Sequence, residues 1–220
     1  MSILTFPRQI TAEPTDRIGH RVLLLDAAER LFVLGLYCWL VGRMVPGVMA
    51  GSRIGDMLLL LGEGIVVVFF MIRRRTAEIS RSPLEWLLAL GGTCLPLLVV
   101  AGDTEPWMPT AAVSAMLIGL SVQFHAKLTL GRSIGMVPAH RGLKTSGLYR
   151  FVRHPMYGGY LLTQIGFLAL NPVWWNVSVY AMCHLLQVLR ILAEERFLSR
   201  DPAYRDYQSR VAYRILPGIF

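Results

Sequence analysis

Long apolar runs separated by short, arginine-bearing polar segments dominate the chain, and their lengths set the first expectation. A helix needs about 20 mostly apolar residues to cross a bilayer. Residues 28–49, 54–72, 84–101 and 107–126 fit that pattern, and two further apolar runs, 156–170 and 173 to about 193, are joined by an Asn171-Pro172 turn. The run at 156–170 is short, so five and six crossings both fit the pattern. The predicted fold class is an all-α integral membrane protein of five or six transmembrane helices ending in a helical hairpin. Its parts are an N-terminal segment 1–27, a four-helix transmembrane region 28–126, and a loop, hairpin and tail over 127–220 integrated with that region.

Basic residues give these spans a direction. Cytoplasmic loops are enriched in Lys and Arg. With the N-terminus inside, all of the 22 lysines and arginines except Arg43 and Arg53 fall on the inner side, while the loop between the third and fourth spans carries Asp103 and Glu105. Both termini are therefore predicted to be cytoplasmic. The first 21 residues hold Pro7, Arg8, Pro14, Asp16, Arg17 and Arg21 with no early apolar core, so a cleavable signal peptide is not expected there.

Composition agrees with a membrane protein: 54% of residues are hydrophobic and only 16% charged, and the mean hydropathy is +0.49. The net charge of +8 raises nucleic acid as a partner. The basic residues lie between apolar spans, however, so membrane lipids and orientation account for them better. Cys38, Cys94 and Cys183 sit inside apolar runs without Cys-x-x-Cys spacing, which argues against a disulfide framework or a metal site.

Chemistry concentrates after Lys127, where a basic, glycine-containing segment of almost thirty residues begins; loops that long are usually functional or disordered. It leads into Thr145-Ser146-Gly147-Leu148-Tyr149-Arg150-Phe151-Val152-Arg153-His154-Pro155-Met156-Tyr157-Gly158. Proline suits the first position of a helix, whose first turn presents unpaired N–H groups to anions. Arg153 and His154 at that edge would add a fixed charge and a hydrogen-bonding group to receive a carboxylate. The alternative is a snorkelling Arg153 with Tyr157 in an interfacial aromatic belt. In the last apolar run, Cys183, His184, Gln187, Arg190, Ile191, Glu194 and Glu195 fall on one stripe less than half a turn wide at about 100° per residue. Such a stripe should face a cavity or other helices. Its simpler reading is that Glu194 pairs with Arg190 and solvates the helix end.

In order, Arg-His-Pro-x-Tyr, a helical hairpin, Arg190-x-x-x-Glu194-Glu195 and Tyr204-x-x-Tyr207 resemble the integral membrane methyltransferases that include isoprenylcysteine carboxyl methyltransferases and phospholipid methyltransferases. The resemblance covers about the last third of the chain and departs at Leu148, where many relatives have proline. It implies an S-adenosyl-L-methionine-dependent methyltransferase acting on a lipophilic small molecule or lipid-modified substrate. Matched residue by residue, it implies Leu143, Lys144, Tyr149, His154, Pro155, Tyr157 and Glu194 for the cofactor, with Glu195 in the same acidic pair, and Arg190 for the substrate. It assigns no catalytic residue. The tail with Tyr204, Tyr207, Tyr213 and Arg214 resembles a lid, although tyrosines at i, i+3 equally suit an interfacial anchor, the preferred role. A nicotinamide-dependent membrane reductase and a small transporter are the rival functions. The transporter reading is motivated by Glu63 between Gly62 and Gly64, a costly intramembrane carboxylate expected to pair with Arg43. Gln123 and His125 are expected to be satisfied core groups.

Overall fold

A computed structural model describes residues 20–51, 54–72, 83–102, 108–131 and 143–219. Among these the regular structure is helical throughout: α1 (His20–Met49), α2 (Ile54–Ile72), α3 (Pro83–Cys94), α4 (Pro109–Leu130), α5 (Pro155–Leu170), α6 (Trp174–Leu198) and α7 (Pro202–Arg210). The basic clusters at Arg73, Arg74, Arg75 and Arg81 and at Arg132 and Arg141, most of segment 1–27, and the acidic Asp103 and Glu105 lie outside the described residues.

Among the described residues four helices are long and apolar enough to cross a membrane: α1 over Asp26–Met49, α2, α4 and α6. The two others expected to span are shorter. With a rise of about 1.5 Å per residue, the 16 residues of α5 reach roughly 24 Å, against a hydrocarbon core of about 30 Å. The expected third span stops being α-helical at Cys94 and passes through a 3-10 turn, Leu95–Leu98. Pro96 explains the break. It has no N–H to give the carbonyl of Gly92 and its ring crowds that carbonyl. The thiol of Cys183 on α6 approaches the Gly92 oxygen instead, at 3.6 Å.

Backbone leaving a helix at membrane depth must find partners within the protein. Here α6 supplies most of them. Asn176, fully buried, accepts from the Val100 N–H at 2.9 Å and donates to the Val100 carbonyl at 2.8 Å. Trp175 donates to the Leu98 carbonyl, and Asn171 before α6 accepts from Gly102 N–H at 2.8 Å. Asn171 stood out in the sequence only as part of the hairpin turn, and Asn176 did not stand out at all.

The core gathers Leu40 and Met44 from α1, Leu58 and Leu59 from α2, Met116 and Leu120 from α4, Phe167 from α5, and Val179 and Tyr180 from α6. Outward-facing Leu31, Phe32, Leu61, Val68, Leu117, Ile118 and Leu185 remain exposed, as a lipid-facing surface requires. Glycine sets the closest helix approaches. A methyl group on Gly119 of α4 would lie 2.7 Å from the Gly159 carbonyl of α5, and one on Gly166 would lie 2.6 Å from the Ala112 carbonyl. Small residues thus let α4 and α5 meet backbone to backbone. On α2, Gly62 and Gly64 admit the side chains of Leu120 and Tyr37.

Two expectations change. The predicted Arg43–Glu63 pair does not form: Arg43 stacks 4.6 Å above the Trp39 ring, and Glu63 faces a cavity shared with Lys127. Lys127 is not the start of the loop either. Helix α4 runs on to Leu130, and Lys127 is buried within it, 1% exposed, donating to Gln123 at 3.0 Å and lying 5.0 Å from the Tyr160 ring centre. Gln123 in turn donates to Thr163, a satisfied core group as expected, whereas His125 is exposed.

Candidate active site at the head of the hairpin

The chain enters the site through Gly147, whose φ of +60° favours glycine and whose hydrogen faces Thr129. A 3-10 turn, Gly147–Arg150, buries Tyr149. The backbone of the motif then runs beside the tail: Arg153 N–H donates to the Tyr213 carbonyl at 2.9 Å and His154 N–H to the Arg214 carbonyl at 2.7 Å. Pro155 opens α5, with His154 as its cap residue.

One carboxylate holds these pieces together. Glu195, near the end of α6, accepts from Arg153 at 2.7 and 3.4 Å, from His154 Nε2 at 3.1 Å and from Arg214 Nε at 2.9 Å. The Arg153 guanidinium also donates to the carbonyls of Val211 and Ala212 at 2.6 and 2.8 Å. Arg153 is therefore neither a snorkelling anchor nor a charge left open at the helix edge. It clamps the tail onto the motif, and its side chain is only 6% exposed.

Tail tyrosines complete the clamp, in a role different from interfacial anchoring. Tyr204 and Tyr207 are buried with Val211 in a small core against Leu198. The Tyr207 hydroxyl donates to the Tyr149 carbonyl at 2.6 Å. Burial pushes Tyr207 up to about 12, so it stays a neutral donor. Asp201 caps α7 by accepting from Ala203 N–H. The tail is thus packed over the motif.

Inside the clamp, His154 and Tyr157 rings lie 5.8 Å apart, and the Arg190 guanidinium lies 5.8 Å from the centre of the Tyr157 ring. Arg190 also reaches Thr93 of α3 at 3.4 Å. Glu194 is half-buried, and its charge, after burial itself, helps hold the Tyr149 hydroxyl well above its ordinary range. The structure therefore brings Tyr149, His154, Pro155, Tyr157, Arg190, Glu194 and Glu195 to one end of the hairpin. Leu143 and Lys144, where the described part of the loop resumes, lie exposed. The polar stripe of α6 is real, and Cys183, Gln187 and Arg190 face α3 and a cavity beyond it.

That cavity, of about 50 Å³, runs from Met156, Tyr157 and Arg190 between the helices to Glu63 and Lys127, with Gln164 and Gln187 on its wall. The Tyr157 hydroxyl and the Gln164 side-chain oxygen are buried without hydrogen-bond partners. Sequence reading found the two ends, Arg190 and Glu63, but had no signal joining them.

Fold and site together define an all-α integral membrane protein whose charged cluster adjoins a cavity between its helices. Residues 108–200 match the model of the Isoprenylcysteine carboxyl methyltransferase (ICMT) family. The chain is also 30% identical over 115 residues to Protein-S-isoprenylcysteine O-methyltransferase A of Arabidopsis thaliana, an alignment covering 48% of this chain and 58% of that relative. The chain thus spans a little over half the length of the relative. The family resemblance carried by the Arg-His-Pro motif holds over this region, which is ICMT-like.

Proposed function

We propose that the protein transfers a methyl group from S-adenosyl-L-methionine to a lipophilic acceptor, in the manner the family's name describes for an isoprenylcysteine carboxyl group. The observation that carries this reading is the juxtaposition of the His154–Tyr157–Glu194 corner, which lies within the family-matched region, with a cavity between the helices that Tyr157 and Arg190 line.

Tyr149, His154, Pro155, Tyr157 and Glu194, with Leu143 and Lys144 at the loop end, would hold the cofactor, and the donor set fits. Glu194 offers a half-buried carboxylate for a cationic ligand, and Tyr157 a hydroxyl with no partner of its own. When bound, the sulfonium supplies an activated methyl group with an excellent leaving group. The protein's task is then to align the acceptor and exclude water rather than to move protons. Arg190 meets the acceptor's polar end at the cavity mouth. Glu195 supports the site indirectly, because it fixes Arg153, His154 and the tail that covers them.

The distribution of Lys and Arg places this corner and both termini on the cytoplasmic face in our reading, so a polar cofactor arrives from solvent and an apolar acceptor from the bilayer. The test supplies membranes containing the protein with methyl-labelled S-adenosyl-L-methionine and prenylated-cysteine analogues. Label in an organic-extractable product, absent with His154→Ala, is expected. Label transfer equal to protein-free membranes would overturn the reading.

A further inference from the structure

The cavity between the helices is mostly apolar, with Val66, Phe69 and Met156 in its wall, and the helices around it fix its depth. Tyr157 of α5 faces Arg190 of α6. Ten residues away on each helix, Phe167 meets Tyr180 edge-on, with ring centres 6.2 Å apart. Both are fully buried in the packed core, so α5 and α6 close the space there. On α5 the lining stops at Gln164, one turn short of Phe167. Helix α2 runs antiparallel to α5, its Gly55 lying against Leu170. Glu63 is therefore its deepest lining residue, and Leu59, one turn before, belongs to the core. Pro96 ends the lining on α3, with Leu97 of the core next to it. Glu63, Pro96 and Gln164 thus form the floor.

Gln164 lies seven residues beyond Tyr157, about 10 Å along the helix. An extended chain advances about 1.2 Å per bond. In a cysteine carrying a five-carbon isoprenyl group on sulfur, the path from carboxyl carbon to hydrocarbon end takes seven bonds, about 8 Å. With a fifteen-carbon group it takes fifteen bonds, about 18 Å. The first fits between Arg190 and the floor, and the second overruns it. Volume points the same way: the cavity is about 50 Å³, whereas one that takes benzene is about 150 Å³. Even the five-carbon group therefore needs an adaptable side chain such as Met156 to yield. We propose that Glu63 and Gln164 set the length of the methyl acceptor, restricting it to a carboxylic acid whose hydrocarbon arm has about five carbons. A longer arm would be pressed against the Glu63 carboxylate, whose charge Lys127 attracts across the cavity, and stripping a charge of its surroundings is costly. The identity of the guest as methyl acceptor rests on the methyl-transfer reading.

The experiment supplies membranes containing the full chain with methyl-labelled S-adenosyl-L-methionine and N-acetylcysteine bearing a prenyl, geranyl or farnesyl group on sulfur. Methyl-ester formation is compared as kcat/KM at equal membrane-bound concentration of each probe. The prenyl probe is expected to exceed the farnesyl probe by at least about tenfold, the cost of overfilling a packed site. Gln164→Ala lowers the floor and should raise the geranyl probe severalfold relative to the prenyl one. Damage to the fold would depress all three probes together and leave their ratio unchanged. A farnesyl probe used as well as the prenyl probe by the wild type, or an unchanged ratio in folded Gln164→Ala, would overturn the assignment of the floor and leave methyl transfer standing. Label in none of the three probes would overturn the methyl-transfer reading, and this inference with it.

Discussion

Replacing Glu195 by alanine should be far more damaging than replacing its neighbour Glu194, and the difference separates a structural carboxylate from a ligand-binding one. Glu195 is 4% exposed and accepts from three side chains, whereas Glu194 is half-buried. Without Glu195 the Arg153 charge stays buried with only the Val211 and Ala212 carbonyls around it. Removing one member of a buried ion pair costs about 3–5 kcal/mol. Those two carbonyls still solvate the guanidinium, so the lower end applies, about 3 kcal/mol, or roughly two orders of magnitude in the folding equilibrium. Glu194→Ala should cost less than about 1 kcal/mol, as for partly exposed charges, while weakening cofactor binding. Equilibrium unfolding in mixed micelles measures both, and limited proteolysis reports whether the tail after Arg210 is released. The double variant Arg153→Met/Glu195→Leu should recover much of the loss, since an apolar pair often replaces a buried ion pair without penalty. Equal stability of the two single alanine variants would refute the reasoning.

Further outcomes follow from the packing. Tyr207→Phe leaves the Tyr149 carbonyl without its 2.6 Å donor and should cost about 1–2 kcal/mol in the same unfolding assay. The pH dependence has a definite sign: Tyr207 rises from 10.0 to about 12 in the fold, so the unfolded chain ionises first. Its contribution is complete below pH 10 and is lost as pH climbs toward about 12, and Tyr207→Phe should flatten part of that decline. Asn176→Ala deprives both Val100 backbone groups of partners and should cost about 2–4 kcal/mol, read as a lower thermal midpoint. Gly159→Val puts a side chain where Cβ alone would already meet the Gly119 carbonyl at 2.8 Å; loss of monodisperse protein on gel filtration is the expected result.

Hydropathy made the membrane class, α2, α4 and the hairpin legible, because spans of that length leave few alternatives. The site residues were legible as a motif rather than as geometry. Spacing along α6 put Arg190, Glu194 and Glu195 on one stripe, yet nothing in it distinguished the carboxylate that binds Arg153 from the one left half-buried. That distinction depends on where the tail carbonyls fall. The third helix was read too long because an apolar run scores alike whether or not Pro96 breaks it; Asn176, which repairs the break, is 76 residues from Val100 in sequence. Lys127 was read as the start of the loop because a basic, glycine-containing segment follows it, and the Gln123 and Tyr160 contacts reveal why it is tolerated inside the helix. The tail tyrosines looked interfacial because their i, i+3 spacing fits a membrane belt and a small buried core equally well.

The most direct test of the central claim is calorimetric binding of S-adenosyl-L-methionine to the detergent-purified chain and to folded His154→Ala and Glu194→Ala variants. The account predicts saturable one-to-one binding by the wild type that both variants lose by at least about tenfold. Binding unchanged in both variants, or none by folded wild type, would contradict it.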